Sequence, residues 1–336
     1  MPCSPEDTVA FIGIGVMGYP MAKNLREGLE PTKTLLICDI SEEALDRFQA
    51  EAVGKGPVEI VKNGFEAAQA ANTVITMLPD SEVVKAVYLD PQTGILAGAA
   101  SAPAQGGQKL LMECGTIETE TILSVSQAAE EAASTTSTPL TFIDAPVSGG
   151  PMGAAAGTLT FMVGCPAGAP SASASASAFP AARSHLRHMG SAGAIFLCGG
   201  VGSGTAFKVI NNYLSAITSL AASEALNIGV KAGLDPALLT EVINASGGQC
   251  WVTSRSNPVP GVQDGVPSSR GYEGGFRIEL CAKVLAMGSR LAEMVGARTV
   301  LDRPTLGAME EAMEDERYQG KDARVVYKWL NESEKR

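Results

Sequence analysis

Short, almost unbroken apolar runs alternate with helical stretches from Thr8 to about Leu197, and then the alternation stops. Strands of this kind are buried on both faces, and strands separated by helices form a parallel sheet with helices above and below it. The candidates are TVAFIG (8–13), KTLLICD (33–39), TVITML (73–78), KLLMEC (109–114), LTFID (140–144), LTFMVG (159–164) and AIFLC (194–198). After Gly204 the apolar residues recur at helical spacing through Phe207, Ile210, Leu214, Ile217, Leu220 and Ala221, which predicts a long buried helix running to about Lys231. Asp235 and Pro236 then read as N-cap and first turn of a helix over ALLTEVINAS. The Pro- and Gly-rich stretch 253–275 is too long for a plain connection and reads as a loop serving a site. Helical periodicity resumes at Phe276 and, after Pro304, runs nearly to the C-terminus.

The first strand ends in Gly13-Ile14-Gly15-Val16-Met17-Gly18 and leads into a helical run, MAKNLREGL. Glycines there allow a tight turn and let backbone N–H groups approach a pyrophosphate at the positive end of the helix. Asp39 closes the second strand 21 residues after Gly18, where a carboxylate accepts hydrogen bonds from ribose hydroxyls and repels a 2′-phosphate. That favours NAD over NADP. Leu78 and Pro79 end a later strand at the same carboxyl edge, where ligands of such sheets bind, although Pro79 also suits a mere strand terminator. The expected fold is α/β: a Rossmann-type, doubly wound, mostly parallel sheet followed by an all-α C-terminal domain entered through a long helix. The expected divisions are a dinucleotide-binding domain (1–200), an interdomain helix (201–231) and an all-helical substrate and oligomerisation domain (232–336).

Composition narrows the partners. Lys plus Arg is 25 against 36 for Asp plus Glu, a net charge of −11, the wrong sign for coating nucleic acid or anionic lipid. No apolar run reaches the ~20 residues that span a bilayer. The seven cysteines are odd in number and contain no C-x-x-C pair, as reduced thiols would be. His185 and His188 are the only histidines; spaced i, i+3, they read as lying on a solvated helix rather than binding a metal. The residues before Thr8 are neither Arg-rich nor amphipathic, so no targeting peptide is expected within the chain. Three polar insertions, 98–108, 133–139 and 170–180, read as surface excursions, and the low-complexity Ser-Ala repeat in the last is assigned no function.

A base other than histidine is therefore needed. Between Arg187 and Glu224 the only lysine, arginine or carboxylate is Lys208, set among residues that read as core. Burial lowers an ammonium pKa and turns a lysine into a proton acceptor near neutral pH. The alternative is a lysine snorkelling to the surface. Asn212, one turn on, lies on the same face, where its amide can hold the lysine or a substrate hydroxyl. Ser148, Gly149 and Gly150 follow a strand in a small-residue turn that reads either as a carboxylate nest or as an ordinary turn.

Together FIGIGVMGYPMAKNL, ITMLP, DAPVSGGPMGAAAGTLTFMVG, VGSGTAFKVINN, ASEALNIGVKAGLDP and NPVPGVQDGVPSSRGYEGGF resemble the β-hydroxyacid dehydrogenase family, in its 3-hydroxyisobutyrate dehydrogenase branch. The resemblance implies NAD-dependent oxidation of 3-hydroxyisobutyrate to methylmalonate semialdehyde, with Lys208 catalytic, Asn212 supporting it and Ser148, Gly149 and Gly150 holding the substrate carboxylate. It also implies that Thr116 and Lys283 lie near the cofactor and that Leu78 and Pro79 flank its ribose path. A homodimer or homotetramer and a mitochondrial location follow by resemblance to eukaryotic relatives, a cytoplasmic one if the source is prokaryotic. Two departures stand out. Relatives usually carry Asp and Ser where this chain has Glu113, Cys114 and Gly115, and an Asp where Val284 follows Lys283. Two rival readings are an NADPH-dependent reductase of glyoxylate or succinic semialdehyde and a non-catalytic nucleotide-binding interaction protein. Asp39 and Lys208, respectively, argue against them.

Overall fold

The computed structural model describes residues 4–102, 108–135, 139–166 and 175–333, with the backbone alone for 175–177. Much of the three polar insertions, 103–107, 136–138 and 170–174, lies outside the described residues, as does Cys3. The chain divides into two compact units, Met1–Lys208 and Val209–Arg336.

The first unit is built on one sheet of β1 (Thr8–Ile12), β2 (Thr34–Cys38), β3 (Val58–Ile60), β4 (Thr73–Thr76), β5 (Lys109–Glu113), β6 (Leu140–Asp144), β7 (Val147–Ser148), β8 (Leu159–Gly164) and β9 (Gly190–Gly199). The order β3-β2-β1-β4-β5-β6 is parallel throughout. Beyond β6, β8 runs antiparallel to it and pairs with β7 and β9. Helices α1 (Gly18–Gly28), α2 (Glu42–Glu51), α3 (Gly64–Ala70), α4 (Ser81–Leu89), α5 (Ile95–Ser101), α6 (Thr119–Thr135), α7 (Gly150–Ala156) and α8 (Ser175–Leu186) connect the strands. Every residue of β1, β2 and β5 is buried, as the unbroken apolar runs require. Alternate side chains feed two separate cores, Phe11, Ile37, Ile75, Met112 and Ile143 in one, Ala10, Leu36, Val74, Leu111 and Phe142 in the other. This is the doubly wound sheet the sequence predicts.

The short strands β3 and β7 carry no sequence signal, because pairs and triplets of residues at a sheet margin need no apolar run. The histidines depart from expectation. His185 is half-buried with Nε2 3.4 Å from Thr73 Oγ1, and burial pulls its pKa down to about 4. The His188 ring lies where a Cβ on Gly28 would be, so the face that reads as solvated is packed.

The second unit comprises most of α9 (Ser203–Lys231), then α10 (Pro236–Asn244), α11 (Trp251–Arg255), α12 (Ile278–Met294), α13 (Asp302–Met313) and α14 (Val326–Glu332). Asp235 caps α10 by accepting from Leu238 N at 2.7 Å, as its sequence suggests. The core gathers Ala216, Tyr272, Ile278, Leu285, Met309 and Val326. Here the sequence reading of α9 needs correcting. Phe207, Ile210 and Leu214, taken as core, are 57–62% exposed, and Ile228 joins them on the same face. The buried face is instead small: Ala216, Ser219, Ala222 and Ser223, with Leu226. Small residues admit close neighbours, and Tyr213 lies against Gly288 of α12 so tightly that a Cβ there would collide with it. The 253–275 stretch holds the end of α11 and a 3₁₀ turn, Pro267–Arg270. It is pinned by a buried polar network in which Asn257 donates to Thr240 Oγ1 at 3.0 Å and its carbonyl accepts from Ser268 Oγ at 2.6 Å.

Candidate active site

Five strand ends stand in register at the carboxyl edge of the first unit's sheet: Cys38 beside Ile12, Ile12 beside Thr76, Thr76 beside Glu113, and Glu113 beside Asp144. Four inter-strand spacings of roughly 4.8 Å make this row about 19 Å long. The residues that follow it are Asp39, Gly13 to Gly18, Leu78 and Pro79, Thr116, and Ser148 to Gly150. One edge thus gathers the first unit's sequence-derived candidates other than Lys208, and the strand order reverses between β1 and β4 within it.

Each glycine of the first turn has its own physical reason. Gly13 sits at φ +88°, and a Cβ there would strike the Met77 carbonyl. At Gly18 a Cβ would strike the Gly13 carbonyl, so α1 can begin that close to β1 only without a side chain. Gly15 differs: a Cβ there meets nothing within 4 Å, and Val16 beside it is 78% exposed. Two glycines serve the packing and the middle one leaves the crest of the turn open. Helices α2, α3 and α4 are each capped by a side chain, Ser41, Asn63 and Asp80. No side chain caps α1, whose N-cap position is Met17. An open crest at the uncapped positive end of a helix fits a pyrophosphate.

Asp39 is half-buried, and its two carboxylate oxygens accept from Ile14 N at 2.6 Å and Ser41 N at 2.9 Å. The carboxylate therefore braces the glycine turn and keeps lone pairs for further donors. Ile40 next to it is fully exposed, so an apolar side chain and a negative charge face the solvent there. Leu78 is buried and lies close to Gly13, joining the turns after β1 and β4. Thr116 is half-buried in the turn after β5.

Sequence reasoning assigns no role to Glu113 and Asp144, whose only signal is a carboxylate closing an apolar run. Both are fully buried. Glu113 accepts from the Thr76 hydroxyl, from Gly115 N at 2.6 Å and from the Leu78 backbone, and Thr76 also meets Tyr88 Oη at 2.7 Å. Burial pushes its pKa up to about 8, so near neutral pH it is largely a neutral acid tying the β4 and β5 turns together. Gly115 lets it do so, since a Cβ there would fall 2.5 Å from the Leu78 carbonyl and 2.6 Å from Glu113 Oε1.

Ser148 closes β7 half-buried, opposite Thr160. Gly149 (φ +132°) and Gly150 (φ +62°) turn the exposed backbone that follows into α7. Lys208 lies in the second turn of α9 and is only 8% exposed. Burial lowers its pKa to about 8, and among the described residues no hydrogen bond or ion pair holds its ammonium. Asn212 is one turn further along the helix, half-buried, with its amide oxygen 3.4 Å from Asn211 Nδ2; the structure gives it no bond to Lys208. Lys283 is half-buried on α12 in the second unit. Val284 beside it is a core residue packed with Val209 and Met287, which explains an apolar side chain at that position.

The chain is similar to known dehydrogenases over most of its length. Residues 8–200 match the family described as the NAD binding domain of 6-phosphogluconate dehydrogenase. Residues 202–330 match the one described as NAD-binding of NADP-dependent 3-hydroxyisobutyrate dehydrogenase. The mitochondrial 3-hydroxyisobutyrate dehydrogenase of Rattus norvegicus is 36% identical over 328 residues, 97% of this chain and 88% of that one. The 3-hydroxyisobutyrate dehydrogenase of Pseudomonas aeruginosa is 39% identical over 294 residues, 87% of this chain and 88% of that one. Among solved structures, the Mycobacterium tuberculosis 3-hydroxyisobutyrate dehydrogenase with L-serine superposes with a TM-score of 0.81 at 32% identity, covering 97% of this chain and 99% of that one.

Proposed function

This chain belongs to the 3-hydroxyisobutyrate dehydrogenase family and is an oxidoreductase with a nicotinamide dinucleotide cofactor, and from that premise we propose that it oxidises 3-hydroxyisobutyrate to methylmalonate semialdehyde with Lys208 as the general base. The observation that carries the reading is a buried lysine without a partner in the same unit as an open dinucleotide turn. When bound, the nicotinamide supplies the acceptor for the hydride that leaves C3. The chain must then remove the hydroxyl proton. Lys208, whose burial makes the neutral amine accessible near pH 8, takes it as the aldehyde carbonyl forms. Ser148, Gly149 and Gly150 hold the carboxylate and so fix which carbon faces the reacting centre. Asn212 orients the lysine or the hydroxyl from the next helical turn, and Thr116 supports the cofactor from the turn after β5. Rates of NAD reduction across 3-hydroxyisobutyrate, L-serine and 3-hydroxypropionate test the substrate. The first should show the highest kcat/KM, and a tenfold preference for either other acid would overturn the assignment.

For the cofactor we favour NAD. Asp39 places a negative charge where a 2′-phosphate would sit, and neither Ile40 nor Ser41 offers a cation. The NADP-dependent family description attaches to residues 202–330, a range that does not include this carboxylate. Asp39→Ala should lower the NAD-over-NADP ratio of kcat/KM by about tenfold, equivalent to about 1.4 kcal/mol. An unchanged ratio would remove Asp39 as the discriminator.

The exposed apolar stripe of α9, continued by Leu234, Leu238 and Val242, fits self-association through the helical unit. Sedimentation should find a dimer or tetramer, and Leu214→Glu should shift it toward monomer.

A further inference from the structure

We propose that Asp144 is a positioning residue that sets the phase of α9, and with it the direction of Lys208, by capping that helix from the sheet. The proposal rests on the reading of Lys208 as the base. Helix α9 starts at Ser203 after Gly202, a residue with φ +88° and no side chain to cap anything. The cap comes instead from the last residue of β6, 58 positions earlier in the chain. Asp144 Oδ1 accepts from Gly202 N at 2.7 Å and Oδ2 from Thr205 N at 2.7 Å. Ser203 N and Ala206 N are bound by the Gly200 and Gly202 carbonyls, so the carboxylate completes the first turn.

The fit is too close to be incidental. A Cβ on Gly164 would collide with Asp144 Oδ1, and one on Gly204 would collide with the Met162 carbonyl and come within 2.9 Å of Oδ2. Two glycines, one in β8 and one in α9, thus make room for this carboxylate and let the helix start directly against the sheet. Asp144 is fully buried, and no lysine, arginine or histidine among the described residues pairs with it. The titratable groups that feel its charge are the Cys165 and Cys198 thiols, both pushed up by burial first and by this charge second. Burial raises the Asp144 pKa while the two backbone donors lower it. A buried carboxylate held by main-chain N–H groups at a positive helix end has lost bulk water and gained a fixed direction. Lys208 follows Thr205 by three residues, one turn of the same helix, and Ser148 follows Asp144 by four. One carboxylate thereby couples the turn proposed to hold the substrate to the helix proposed to carry the base.

An asparagine has the same shape but can accept from only one of the two N–H groups, setting its amide donor against the other. In Asp144→Asn the first turn of α9 must shift, and the lysine it carries becomes better hydrated. Two measurements separate this from loss of fold. The pH dependence of Lys208 modification by trinitrobenzenesulfonate, located by mass spectrometry, should move its midpoint up by about one unit. The steady-state kcat should fall at least tenfold while KM for 3-hydroxyisobutyrate and NADH binding by fluorescence change less than threefold. Gly204→Ala, which leaves the carboxylate in place and displaces the helix, should reproduce both effects. An unshifted Lys208 midpoint in both variants, or losses of NADH binding and kcat in proportion, would reduce Asp144 to a structural residue and overturn the proposal. If Lys208→Ala itself keeps its turnover, the reading of the base fails instead, whatever Asp144 does to the midpoint.

Discussion

The first unit buries two lysines, and their surroundings differ in a way that their pKa values do not. Lys109 opens β5 at the amino edge of the sheet and is 3% exposed; burial brings its pKa to about 8, the same as for Lys208. Its ammonium, however, donates to the Ala68 carbonyl at 2.6 Å and the Ala71 carbonyl at 2.9 Å. Those carbonyls end α3, so the lysine satisfies orphaned acceptors at the negative end of a helix. Lys208 has no such bonds. A lysine that is spent on helix-end carbonyls holds structure together, and one that burial depresses without compensation is available to chemistry. The position of the strand ends agrees, because ligands of parallel sheets bind at the carboxyl edge.

This contrast can be broken most sharply by turnover. Lys208→Ala should cut kcat by about 10²–10⁴-fold, whereas Lys109→Ala should leave it within threefold in whatever fraction stays folded. Equal losses in the two variants would erase the distinction. The pH profile comes next. The base must be neutral to accept the hydroxyl proton, so oxidation should rise about tenfold per unit up to roughly pH 8 and level off above it. In Lys208→Ala that rise should vanish from what activity remains.

Stability should move in opposite directions. Lys109→Met leaves the Ala68 and Ala71 carbonyls bare in the interior, a cost of about 1–3 kcal/mol. Lys208→Met removes an uncompensated buried amine, and thermal melts near pH 7 should rise rather than fall, the usual trade of stability against activity at a catalytic position. A melt lowered by both would mean that Lys208 is held by contacts of its own. The last effect is the pH slope of stability. Each lysine has a folded value near 8 against 10.5 for a free side chain, so between those limits the unfolded chain binds more protons and stability grows with pH. Removing either lysine should flatten that growth.

Both lysines are visible in the sequence, yet only Lys208 stood out there, because the long stretch around it carries no other charge. Lys109 sits between a glutamine and an apolar strand and looks like an ordinary strand start. The same limit affects helix faces. The spacing of Phe207, Ile210 and Leu214 identifies α9 as a helix, but a period of 3.6 states only that these residues share a face. That their face is exposed, and that the serines and alanines opposite are buried, depends on helices that are remote in sequence. Glu113 and Asp144 were silent for a related reason. A carboxylate at a strand end shows its remote partners in no spacing: besides Gly115 N two residues on, Glu113 is bound by the Thr76 hydroxyl of the neighbouring strand and the Leu78 backbone after it, and Asp144 by the first turn of α9.

What the sequence determined by itself is local: the alternation that makes strands and helices, the glycine turn whose backbone geometry admits no side chain, the Asp39 spacing and the Asp235 cap. The alternation and the cap rest on neighbours within about one turn or one strand, while the glycine turn and Asp39 are legible as spacings even though the Met77 carbonyl and Ile14 N that they meet are remote in sequence. The tertiary structure alone decided which strand ends form one row, which face of α9 is covered and which of two buried amines is left without a partner. Each of these depends on the burial of a group by residues tens of positions away, and solvation of a side chain is a property of its neighbours in space rather than in the chain.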